Sequence, residues 1–76
     1  MPAKPATPQR RFGEVVRAER KRQELTQEEL ADRAGISAVF MSDIERGVEN
    51  VTLETIAKLS KGLGVKVGEL LIRAGI

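Results

Sequence analysis

The chain has no cysteine, histidine, tyrosine or tryptophan. Lacking cysteine, it has no disulfide framework and no thiolate ligand, a composition suited to the cytoplasm. Lacking histidine and tyrosine as well, it is without the usual proton shuttles and nucleophiles of neutral pH. No catalytic residue, metal site or cofactor is therefore expected, and an enzyme is not. The nearest alternatives are poor. Ser60 and Lys61 are adjacent and point to different helix faces, and Glu28 with Asp32 reads as a solvated carboxylate pair at i, i+4. Two phenylalanines, Phe12 and Phe40, are the whole aromatic complement, too few for the stacking platforms that hold single strands. No apolar run approaches the roughly 18 residues of a spanning helix, and MPAKPATPQRR lacks the apolar middle of a signal peptide. All three prolines fall within residues 1–8. That stretch has no hydrophobic periodicity and is expected to be a flexible arm, with residues 9–76 forming one domain.

What is present is ordinary in amount and uneven in place. Of the 76 residues, 41% are hydrophobic and 32% charged, enough for one core, in a chain that hides about 60% of its unfolded surface. The net charge is +2. Residues 1–22 hold seven basic and two acidic groups, whereas residues 23–76 hold six basic and nine acidic. Such a basic front attracts phosphate. Arg17, Arg20, Lys21 and Arg22 are equally readable as the solvated face of a helix.

The local signals are all helical. A first helix spans Gln9 to about Arg22, with Phe12, Val15 and Val16 as its apolar stripe and Glu19 where the stripe would continue. Residues Thr26–Arg46, TQEELADRAGISAVFMSDIER, carry the densest signals. Thr26 is an N-cap with Glu29 at N3, and Leu25 and Leu30 are spaced as a hydrophobic staple around it. Gly35 follows Ala34 where a left-handed residue ends a helix. Ser37 then caps a second segment, with Ile36 facing Met41. The two helices, Gln27 to Ala34 and Ala38 to about Arg46, are separated by three residues and must cross steeply, as in a helix-turn-helix. Thr52 caps a fourth helix whose inward set is Ile56, Leu59, Ser60 and Leu63. Gly62 lies inside it at a cost of about 1 kcal/mol relative to alanine. A short fifth helix contains Val67, Leu70 and Leu71. The expected fold is all-α, a compact bundle of five helices.

Through Gln27, Ala31, Gly35, Met41, Ile44 and the terminal IERG, the chain resembles the lambda-repressor-like helix-turn-helix family, also called XRE or Cro. The likeness continues through TLETIAKLSKGLGV and VGELL, and so covers residues 9–72. It implies a DNA-binding transcriptional regulator, usually a homodimer on a palindromic operator, with the third helix in the major groove and the second across the backbone. Family size and layout are similar to those of small phage repressors and restriction–modification controllers. No small-molecule effector or membrane is expected, and with nothing after Ile76, control is expected to come from protein concentration and dimerisation.

Site residues follow from that likeness and from helical geometry. With Met41 and Ile44 inward, Ala38, Val39, Ser42 and Asp43 project outward as base readers, together with part of Phe40. Relatives often carry Gln, Arg or Asn at the positions of Ala38, Val39 or Asp43. Here the available chemistry is methyl contact from Ala38 and Val39 to thymine, with Ser42 donating or accepting and Asp43 accepting from cytosine N4. The alternative places Val39 and Phe40 partly in the interior and leaves specificity to DNA shape. Gln27 matches the family's phosphate-binding glutamine, or is merely a good first residue of a helix. Thr26, Ser37, Phe40, Arg46, Asn50 and Thr52 are the other backbone candidates, although Asn50 and Thr52 serve equally as turn and cap residues. Arg10 and Arg11 end the arm and either touch DNA or solubilise a tail. Arg20 and Glu45 match a family ion pair between the first and third helices, a structural role. The dimer interface is assigned to Leu71, Ile72 and Ile76, although Leu71 fits a core position too. A rival function is a protein-interaction adaptor, of coactivator or antitoxin type, on the same fold.

Overall fold

The structure is a computed structural model that describes residues 6–76. Five helices follow one another: α1 (Pro8–Arg22), α2 (Gln27–Ala34), α3 (Ala38–Arg46), α4 (Leu53–Leu63) and α5 (Val67–Arg73), and no strand is present among the described residues. Four of the five have a side-chain N-cap: Thr7, Thr26, Ser37 and Thr52 each accept from a backbone N–H three residues on, at 3.0–3.1 Å. The capping box at Thr26 is complete, because its own N–H donates to Glu29 Oε1 at 2.9 Å. That bond holds the Glu29 carboxyl below its ordinary value. Gly35 ends α2 at φ 72°, a conformation open to glycine without Cβ strain.

The first helix begins one residue earlier than expected, at Pro8 rather than Gln9. Thr7 caps it and Pro8 takes the first helical position, where its missing N–H costs nothing. The boundary drawn at Gln9 therefore falls inside α1. Of the expected arm, residues 1–5 lie outside the described residues.

Phe12, Val16, Leu30, Met41, Ile44, Leu59 and Leu70 are fully buried and bring all five helices into one core. α2 packs on α3 and α4, while α1 lies against α3 and α5. Two glycines set these distances. A Cβ on Gly13 would fall inside contact with the carbonyl oxygens of Ile44 and Glu45, so α1 can cross α3 closely only with glycine there. Gly62 sits 3.2–3.4 Å, measured from an ideal Cβ, from Leu30 and Ala34, so what it costs in helix propensity secures the α2–α4 contact.

At the position where α1's stripe reaches Glu19, the structure buries the carboxylate. Arg22, Gln23 and Arg73 donate to it, Arg73 from α5 at 2.6 Å. These donors, Arg22 foremost, hold its pKa at about 2 against the opposing effect of desolvation. Arg11 completes the attachment of α5, donating from Nε to the Ala74 carbonyl at 2.9 Å.

Candidate nucleic-acid interface

The α2–α3 pair is presented by its own burial pattern. Leu30, Ala31 and Ala34 of α2 and Met41 and Ile44 of α3 are buried, which turns the opposite face of α3 outward. Ser37 and Ala38 are exposed, and Val39 is 74% exposed. Phe40, Ser42 and Asp43 are half-buried, Phe40 packing against the core. The outward set thus divides, with Ala38 and Val39 open at the helix N-terminus and Ser42 and Asp43 at its margin. Asp43 is not a bare acceptor, because Arg46 Nη2 donates to its Oδ1 one turn away. The pair leaves the Arg46 side chain 64% exposed and that of Asp43 24%.

Behind α3, Glu45 organises a polar junction. Arg20 grips its carboxylate with two bonds, Nε to Oε2 at 2.7 Å and Nη2 to Oε1 at 2.9 Å, and also donates to the Leu25 carbonyl at 2.9 Å. Such a bidentate fork fixes direction as well as distance. Gln27 Nε2 donates to Glu45 Oε1 at 3.1 Å. One amide hydrogen is thereby used for orientation, and the other remains available at the N-terminus of α2, where backbone N–H groups favour an anion. The Arg20–Glu45 pairing inferred from the family pattern is present, and it is what aims Gln27.

The other candidates are spread along the same side and beyond it. Thr26 and Ser37 use their oxygens as caps, leaving their hydroxyl hydrogens to donate. Thr52 caps α4 and donates to the Thr55 hydroxyl at 3.1 Å. Asn50 is exposed and accepts from Gln9 of α1. Arg10 is exposed beside Glu14 at 3.9 Å. Arg11 differs from the expectation of an arm residue: it lies within α1, half-buried, with its guanidinium spent on the Ala74 and Ala6 carbonyls. Leu71 is half-buried against the core, whereas Ile72 is 73% exposed and Ile76 is exposed. Leu71 and Ile76 line an apolar groove of about 260 Å³ with Phe12, Val51 and Ile56.

Two residues at these surfaces were not among the site residues expected from the sequence. Leu53, 77% exposed, forms part of the apolar groove rim. Its signal was an apolar residue directly after the Thr52 cap and outside the inward set of α4. Arg17 lies with Arg10, Glu14 and Arg46 around a cleft between α1 and α3. The spacing of Arg10, Glu14 and Arg17, i, i+4 and i+7, was visible but pointed equally to a solvated face.

A capped helix pair joined by a tight turn, with the outer face of its second helix left open, defines a helix-turn-helix domain. The helix-turn-helix family profile matches residues 16–70. Control protein C.BamHI of Bacillus amyloliquefaciens is 44% identical over 61 residues, which are 79% of this chain and 75% of that protein. The clp gene regulator ClgR of Corynebacterium glutamicum superposes with a TM-score of 0.88 at 30% identity, covering 93% of this chain and 92% of the other. The restriction–modification controller C.AhdI of Aeromonas hydrophila does so at 0.78 and 36% identity, over 80% and 92%. The chain belongs to the lambda-repressor-like helix-turn-helix family and is a DNA-binding transcriptional regulator.

Proposed function

We propose that two copies of this chain bind a duplex operator of two-fold symmetry, each laying α3 into the major groove. The observation that carries this reading is the open N-terminal turn of α3, Ser37–Val39, together with a Gln27 already oriented by Glu45. Ala38 and Val39 meet thymine methyl groups, Ser42 lies within the groove margin, and Gln27, Thr26, Ser37, Phe40 and Arg46 hold the backbone. Asn50 and Thr52 approach the backbone from the α3–α4 loop. Asp43 serves Arg46 before it serves any base, because its carboxylate already has a cation. Leu71, Ile72 and Ile76, joined by Leu53, form the dimer contact. The regulator acts in the cytoplasm by binding and carries out no catalysis. Relatives named as control proteins support this regulatory role.

Selecting bound sites from a random duplex library tests the whole reading. The expected product is an inverted repeat with half-site centres about 34 Å apart and thymines facing Val39. An unenriched pool, together with binding to a protein partner that is indifferent to salt, would replace this reading with the adaptor role.

A further inference from the structure

The cleft between α1 and α3 adjoins the helix-turn-helix contacts described above and shares Arg46 with them. It is about 340 Å³ in volume and is lined by Arg10, Glu14, Arg17, Glu45 and Arg46. Glu45 forms its inner wall, but that charge is compensated by Arg20 and shared with Gln27. Three guanidinium groups then face one further carboxylate, Glu14. The Arg10–Glu14 pair, 3.9 Å apart with both side chains about two-thirds exposed, is a weak solvated contact. Among the described residues Arg17 forms no ion pair. The close crossing at Gly13 holds the two helices so that arginines from both converge on this space.

We propose that this cleft takes a second backbone phosphate of the bound duplex, gripped by Arg10 and Arg17 from α1 and by Arg46 from α3. The proposal rests on the DNA-binding reading above and extends its footprint to the first helix. Contiguity supports it: the Glu45 carboxylate that orients Gln27 is also the wall of the cleft, so the two anion sites adjoin along one strand. Guanidinium forks match phosphate oxygens in pairs, which suits arginine at all three positions. Arg46 reaches the phosphate by exchanging its Asp43 partner. Asp43 is therefore a competitor for Arg46 that weakens binding to any duplex, a brake on unspecific attachment.

Salt dependence on a random-sequence duplex reads these contacts without knowledge of the operator. Replacing both Arg10 and Arg17 by alanine should lower the slope of log affinity against log salt by about 1.8, and replacing both by lysine should restore it. Asp43→Asn should tighten binding to the same duplex. An unchanged slope in the double alanine variant, with its helical circular dichroism intact, overturns the cleft proposal while leaving the DNA reading in place. Wild-type protein that shows no salt-dependent duplex binding overturns the DNA reading itself. Inorganic phosphate is the second probe: if it shifts the Arg17 Nε–H resonance and duplex does not, the cleft is a small-anion site and the proposal fails.

Discussion

Glu19 shows how far one side chain can depart from its place in a pattern. It stands where the apolar stripe of α1 continues, yet it is buried as an ion, with Arg22, Gln23 and Arg73 satisfying both oxygens. A carboxyl whose folded pKa lies near 2, against 4.5 when unperturbed, contributes stability above pH 4.5 and loses it as pH falls toward 2. The urea midpoint of the wild type should therefore drop across that window, and that of Glu19→Gln should drop less. Parallel losses would assign the acid sensitivity to other groups. The sequence marked Glu19 as an interruption without saying what surrounds it, because Arg73 arrives from 54 residues away. Asp43 teaches the same lesson on α3. Its helical phase was legible, but its engagement by Arg46 was not, since many rotamers are open to an exposed arginine.

At the level of elements, sequence reading located helices with little error because each carries its own punctuation. Thr26 with Glu29, Gly35 and Ser37 set the limits of α2 and α3 through bonds made within four residues, and both spans agree with the structure. α1 started early because a proline at the first helical position is favourable, while the sequence reading gave proline to the arm. How the helices pack was less legible. Gly13 carried no signal of its own, yet its missing side chain lets α1 lie against the Ile44 and Glu45 carbonyls. Gly13→Ala should cost about 2 kcal/mol or more, since backbone rather than a flexible side chain must move. Chemical denaturation will measure this, and a neutral result would mean that the crossing has slack. Because Glu45 and Arg46 follow that contact, the same variant should bind duplex more weakly at temperatures where it remains folded.

For the whole molecule the exposed apolar surface bears on association. Ile72, Leu53 and Ile76 are exposed apolar groups near a groove lined by Leu71, Phe12, Val51 and Ile56. Such a surface suits a second copy of the chain, and two reading helices double the base contacts of one. Ile72→Asp leaves the core untouched and should shift sedimentation to the monomer at concentrations where the wild type is dimeric. Operator binding by that variant should lose its cooperativity. A persistent dimer would move the interface elsewhere. The attachment of α5 to α1 through Arg73–Glu19 and Arg11–Ala74 makes this surface a rigid part of the domain rather than a loose end.

By itself the sequence determined the number of helices, their limits around the turn, the inward residues of α2 and α3, and the family. These depend on short-range hydrogen bonds and on periodicity, both of which are written locally. Only the tertiary structure decided that Glu19 is a buried ion, that Arg11 fastens α5, that Glu45 aims Gln27, and that Arg10, Arg17 and Arg46 share a cleft. Each of those depends on charges or backbones brought together from distant parts of the chain, and the partner of an ion is fixed by where the fold places it.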